Sequence, residues 1–213
     1  MTSRRQRRRR RPPRPFVLGL TGSIGMGKST AANAFRRIGI PVFSSDEAVH
    51  RLLSAGGRGV APVAAAFPNA REGAAISRTK LAAEVFGNRD KLAQLEAILH
   101  PLVWAETDRF AAAARRARKP LIVLDVPLLY ETGEQGRADA VAVVTAPAFV
   151  QRGRVLRRAG QTPERLAAIL ARQMPDQEKR RRADFVIPTG ASKRESLRRL
   201  AGIVVLLKSA RRR

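Results

Sequence analysis

Apolar residues in this chain follow two rhythms, and the switch between them lays out the architecture. Short unbroken runs occur at 16–20 (FVLGL), 40–43 (IPVF), 121–124 (LIVL), 140–144 (AVAVV) and 184–187 (DFVI), each closed by Thr, Ser, Asp or Pro. Runs of this length without alternation belong to strands buried on both faces, as in a parallel sheet. Between them the spacing turns helical: 31–38 stops at Gly39, 47–53 follows the second run, and 196–209 is a last amphipathic helix. The pattern predicts an α/β fold, a five-stranded parallel sheet sandwiched by helices.

Two stretches break the alternation. From residue 56 to about 119 the strand pattern vanishes behind Gly56-Gly57-Arg58-Gly59, and helices are expected at 60–66, 78–86, 90–100 and 103–117. His100-Pro101 marks a break there, while Leu92, Leu95, Ile98 and Leu99 share one face and should be core. A helical insertion between the second and third strands reads as a substrate-binding subdomain. The second stretch, about 149–182, is helical and dense with arginine, with a fresh helix start at Thr162-Pro163-Glu164.

Composition narrows the chemistry. The 213 residues suit one α/β domain with insertions and contain no cysteine, which excludes disulfides, thiolate metal sites and a cysteine nucleophile. His50 and His100 alone make no histidine-rich metal site. No run of about eighteen apolar residues occurs, so no membrane span is expected, and the apolar run after the basic start is too short for a secretory signal. The net charge of +25 is concentrated at the ends: residues 1–15 hold eight arginines and residues 208–213 four basic residues, leaving 25 − 12 = +13 between them. The reading is a disordered basic arm (1–15), a globular domain (16–207) and a basic tail (208–213); the basic excess of the domain suits substrates bearing several phosphates.

The chemistry gathers at strand ends. After the first run comes GSIGMGKST, in which Gly22, Gly27, Lys28 and Ser29 fit G-x-x-x-x-G-K-S/T. Its glycines allow a tight loop whose N–H groups converge on a phosphate chain, with Lys28 reaching the β and γ phosphates and Ser29 offering a hydroxyl to Mg²⁺. A strand before and a helix after distinguish a P-loop from a glycine-rich turn. Asp46, just past the second strand, is a candidate base or a helix N-cap. Asp125 closes the third strand, where a carboxylate can hold Mg²⁺ across from Ser29. Gln151, Arg154 and Arg158 lie near one helical face, aimed at an anion or forming a solvated basic surface.

Together GLTGSIGMGKST, Asp46 with Val49-His50-Arg51, His100-Pro101-Leu102-Val103, Asp125-Val126-Pro127-Leu128-Leu129-Tyr130-Glu131, Gln151-x-x-Arg154-x-x-x-Arg158, and Gln173 leading to Ala183-Asp184-Phe185-Val186-Ile187 resemble the dephospho-coenzyme A kinases. The resemblance runs from about Val17 to Gly190 and implies a P-loop NTPase fold with an arginine-rich lid at about 149–182. It implies transfer of the γ-phosphoryl of ATP to the 3′-hydroxyl of dephospho-CoA by a cytoplasmic enzyme, monomeric or weakly oligomeric, needing neither nucleic acid nor membrane. By the same resemblance Asp46, Lys28 and Arg154 are catalytic. Gly22, Ser23, Ile24, Gly25, Met26, Gly27, Lys28, Ser29, Thr30 and Arg158 bind ATP; Asp46, Arg51 and His100 bind dephospho-CoA; Ser29 and Asp125 bind Mg²⁺. Read alone, His100 is a packed or capping histidine. Ser44 stands where the family usually has a further acid, Pro188 where it commonly has Asn or Asp, and the basic arm has no counterpart. The alternatives are another small-molecule P-loop kinase, of nucleoside monophosphate, shikimate or gluconate type, or a nucleic-acid-binding P-loop ATPase.

Overall fold

The structure, a computed structural model, describes residues 12–210. Most of the expected basic arm, 1–11, and the end of the tail, 211–213, lie outside the described residues. Strands β1 (Phe16–Thr21), β2 (Val42–Ser44), β5 (Leu121–Asp125), β6 (Ala140–Thr145) and β7 (Phe185–Pro188) form one all-parallel sheet in the order β2-β5-β1-β6-β7. These are the five apolar runs of the sequence. Successive side chains of a strand point to opposite faces, so each run feeds two cores. Leu18, Leu20, Leu121, Val123, Ala142 and Val144 pack on one side with Phe35 of α1 (Lys28–Arg37) and with Leu200 and Ile203 of α9 (Lys193–Ala210). Val17, Ile122 and Leu124 pack on the other with Phe43, Ala48 and Ala114. Full burial of side chains such as Phe35 and Ile122 contributes about 1.5–3 kcal/mol each.

Helix α2 (Ser45–Leu53) leads into the insertion: α3 (Val60–Ala66), the two-residue strands β3 (Arg71–Glu72) and β4 (Ala75–Ile76), α4 (Arg78–Val85) and α5 (Arg89–Arg116). The β3–β4 hairpin is one feature that the helical reading of this region did not foresee. The other is α5. The expected break at His100-Pro101 does not occur, and the helix runs through Pro101 without ending. An interior proline costs about 3 kcal/mol because it removes one backbone hydrogen bond. That cost is outweighed by burial at both ends of the helix. Leu95 and Leu99 complete the insertion's own core with Leu53, Val63, Phe67 and Leu81. Beyond the proline, Val103, Phe110, Ala111 and Ala114 pack on the sheet. A single helix thus belongs to two cores, and breaking it would unseat one of them.

Helices α6 (Ala148–Leu156), α7 (Pro163–Ala171) and α8 (Asp176–Arg182) make up the arginine-dense stretch between β6 and β7. The amino-terminal boundary falls earlier than Phe16. Arg14 forms a two-pronged ion pair with Asp139 at 2.6 and 3.2 Å, and Arg115 Nε donates to the Pro12 carbonyl at 2.5 Å. The four residues before β1 therefore dock on the domain rather than extending the arm, because they carry one guanidinium and one carbonyl with partners in reach.

Candidate functional site

The strand order reverses on either side of β1, whose neighbours β5 and β6 come from opposite directions of winding. Loops at such a point open into a crevice at the carboxyl ends of the strands. The loop from Gly22 to Gly27 lies there and leads into α1. Gly25 has φ +76°, and a methyl group on it would sit 2.6 Å from Val155 Cγ2 of α6, so only glycine lets the loop pass.

Side chains from distant elements turn the loop carbonyls outward. Ile24 C=O accepts from Gln151 Nε2 at 2.8 Å, Gly25 C=O from Arg154 Nη1 at 3.4 Å, and Met26 C=O from Thr189 Oγ1 at 2.6 Å. Ile24 N–H donates to Gln173 Oε1 at 3.1 Å. With the carbonyls turned out, the N–H groups of Gly25, Gly27, Lys28 and Ser29 have no acceptor among the described residues. Helix α1 has Gly27 as its N-cap, with no side-chain cap hydrogen bond and no acid in its first turn. Free amides converging at a helix N-terminus form an anion site. Gly22, Ser23, Ile24, Gly25, Met26, Gly27, Lys28, Ser29 and Thr30 all line a cavity of about 670 Å³ in front of this loop.

The charges around the loop are arranged in depth. Lys28 Nζ lies 2.5 Å from Asp125 Oδ1, with side chains only 14% and 8% exposed. Strand register fixes Asp125 between Leu20 of β1 and Ser44 of β2. Burial raises the Asp125 carboxyl above its ordinary value; Lys28 opposes the shift, and the charge of Asp46 adds to it. The two carboxylates therefore sense each other near the same loop. Asp46 lines the cavity from the first turn of α2. It is not the N-cap: Ser44, extended at φ −110° and ψ 119°, accepts from Glu47 N–H at 3.3 Å. The serine that departs from the family pattern does the capping, which leaves Asp46 free of that task.

Arg154 and Arg158, four residues apart, are used differently. Arg154 gives Nη1 to Thr189 Oγ1 at 3.1 Å and Nη2 to Thr189 C=O at 2.6 Å, so it braces the loop against the turn after β7. Arg158 is exposed, lines the cavity and has no side-chain partner among the described residues. Arg51 is exposed, and His100 sits 5.8 Å from the Trp104 ring; neither lines this cavity. The sequence reading missed Thr189, although it directly follows the fifth strand, and a place just past a strand end is what drew attention to Asp46 after β2.

A dephospho-CoA kinase family profile matches residues 16–195. The chain belongs to the dephospho-CoA kinase family. A dephospho-CoA kinase of Mesorhizobium japonicum is 59% identical over 177 residues, 82% of this chain and 88% of that protein. A crystal structure of a Thermus thermophilus protein is similar with a TM-score of 0.81 at 34% identity, covering 91% of this chain and 98% of that one. A shikimate kinase from Bacteroides thetaiotaomicron reaches a TM-score of 0.52 at 15% identity over 91% of this chain and 98% of its own, which shows a shared P-loop kinase fold alone. Membership of the dephospho-CoA kinase family does not favour the shikimate, gluconate and nucleoside monophosphate kinase alternatives or the nucleic-acid-binding ATPase.

Proposed function

We propose that the chain transfers the γ-phosphoryl group of ATP to the 3′-hydroxyl of dephospho-CoA, giving CoA and ADP in the last step of CoA biosynthesis. The observation that carries the reading is one cavity that combines a loop of unpartnered amides with Lys28, Asp46 and Arg158. Phosphoryl transfer needs positioning and charge neutralisation more than covalent chemistry, and these groups supply both. The amides of Gly25, Gly27, Lys28 and Ser29, with the Lys28 ammonium, hold the phosphates. Asp46 accepts a hydrogen bond from the 3′-hydroxyl and takes its proton late in the transfer. Arg158, free at the rim, is the cation that moves to the transferring group, while Arg154 keeps the loop in shape. The hydroxyl of Ser29 and the carboxylate of Asp125 are hard oxygen donors that fit Mg²⁺, which when bound neutralises phosphate charge. Arg51 and His100 are assigned to the acceptor substrate. A cytoplasmic location accords with the use of ATP; among the described residues no helix is long and apolar enough to cross a membrane.

Incubation of the protein with MgATP and dephospho-CoA tests the reading, with mass spectrometry of the acceptor as readout. Appearance of CoA supports it, and ATP hydrolysis without CoA overturns it. Thr189→Val removes the hydroxyl that Met26 and Arg154 share while keeping its volume. ATP affinity is expected to fall about tenfold, the scale of one unmet buried hydrogen bond, as measured by titration calorimetry. Deletion of residues 2–11, which spares the contacts of Pro12 and Arg14, is expected to change kcat by less than about twofold at physiological salt, where charges are screened over about 8 Å. Any effect on KM should grow as salt is lowered. A salt-independent fall in kcat would show that these residues act at the site.

A further inference from the structure

Four consecutive basic residues close α8, Lys179-Arg180-Arg181-Arg182, and only Lys179 turns inward. Its side chain is 0% exposed, and a buried ammonium is stable only beside a counter-charge. That charge is Glu131, in the turn after β5, whose Oε1 lies 2.8 Å from Lys179 Nζ. The same oxygen accepts from Met174 N–H at 2.8 Å. Met174 follows Gln173, whose Oε1 holds Ile24 N–H of the phosphate loop. Helix α8 is also fastened at its first residue by Asp176 Oδ2, which accepts from Thr145 Oγ1 at 2.7 Å at the end of β6.

We propose that Glu131 and Lys179 are positioning residues for the phosphate loop: the buried pair fixes the segment at 173–174 so that Gln173 meets Ile24. The inference rests on the reading of residues 22–29 as the ATP site and names part of what shapes it. The cluster is poorly suited to a purely stabilising role. Glu131 Oε2, Asp176 Oδ1 and Tyr130 OH are buried without a hydrogen-bond partner among the described residues, and Lys179 Nζ meets Glu131 as an ion pair off the hydrogen-bonding direction. Unmet capacity of this kind costs stability in a low-dielectric interior, whereas an apolar replacement would not. What the pair supplies is geometry. Glu131 carries two attachments on one oxygen, joining α8 and the segment that leads into it to the turn that follows β5.

Steady-state kinetics of the full chain, with ATP and dephospho-CoA varied separately and folding followed by circular dichroism, test the proposal. Glu131→Ala is expected to raise KM for ATP about tenfold, the effect of one lost loop attachment, and KM for dephospho-CoA by less than about twofold. Gln173→Ala should do the same, and the double variant should be no worse than either alone, since both cut one path. Glu131→Gln keeps an oxygen for Met174 N–H but takes the counter-charge from Lys179, so it should recover part of the ATP affinity with a lowered melting temperature. If Glu131→Ala or Lys179→Met does not fold, Glu131→Met with Lys179→Met leaves no buried charge and no acceptor, and should fold with the same rise in ATP KM. A fall in melting temperature with unchanged ATP KM, or additive effects of Glu131→Ala and Gln173→Ala, overturns the proposal. Lys28→Ala separates the two levels: unimpaired ATP binding there would sink the ATP site itself, while its loss beside a normal Glu131→Ala would sink only this inference.

Discussion

Lys28→Ala is expected to lower kcat/KM for ATP by about 10³-fold, the upper scale for removing one donor aimed at developing charge. The loop offers no second side-chain cation at that depth, because Arg154 is committed to Thr189 and Arg158 stands at the exposed rim. The structure adds a stability cost that a lysine at a loop mouth would not carry. Lys28 is the counter-ion of Asp125, and its removal leaves a carboxylate that is only 8% exposed without a partner. The loss should reach up to about 3 kcal/mol, the lower end for breaking a buried pair, because the carboxyl can take up a proton instead. Its pH dependence follows from the raised Asp125 carboxyl. Without Lys28 the folded-state value rises further above the unfolded value of 3.8. A raised carboxyl costs nothing below the unfolded value and its full penalty above the folded one. The gap in unfolding free energy between variant and wild type should therefore be widest at neutral pH and close as pH falls toward 3.8. Urea unfolding across the acid range measures it. Lys28→Ala combined with Asp125→Asn should regain stability but no activity. Full turnover in Lys28→Ala would remove the basis for the phosphate-loop assignment.

Asp46→Asn comes second, with an expected fall in kcat of about 10²-fold and ATP affinity changed by less than about twofold, the range for loss of a positioned general base. Because Ser44 rather than Asp46 caps α2, the melting temperature should not move. The asparagine keeps the size of the side chain and loses only the proton acceptor. Thermal destabilisation in proportion to the lost activity would point to a structural role for Asp46 and count against the base.

Much of the fold was legible because its signals are local. Five strands buried on both faces must be apolar along their whole length, so the runs announce themselves, and β6 and β7 lie within one residue of where composition puts them. The start of α1 was equally legible, since the positive φ of Gly27 is met by a glycine of the motif itself and that of Gly25 by a further glycine inside the loop. Pro101 misled because proline reports a local cost alone; what kept α5 whole is burial of Leu95 and Leu99 in one core and Ala114 in another. The same limit hid the cap of α2, where Ser44 and Asp46, separated only by Ser45, both suit the role and only the backbone angles choose.

Local pattern along the chain carries the succession of the five sheet strands and the helices that flank them, the phosphate loop, and the positions at strand ends where Asp46 and Asp125 stand. The tertiary structure decided the state of each charged group. Thr189 meets Met26 across 163 residues, Gln173 meets Ile24 across 149, and Lys28 meets Asp125 across 97. A polar side chain has several possible partners, and which one it takes depends on which acceptors the packed sheet and helices bring within about 3 Å. Spacing along the chain therefore foretold that Arg154 and Arg158 share a face, but packing alone assigned one to brace the loop and left the other free.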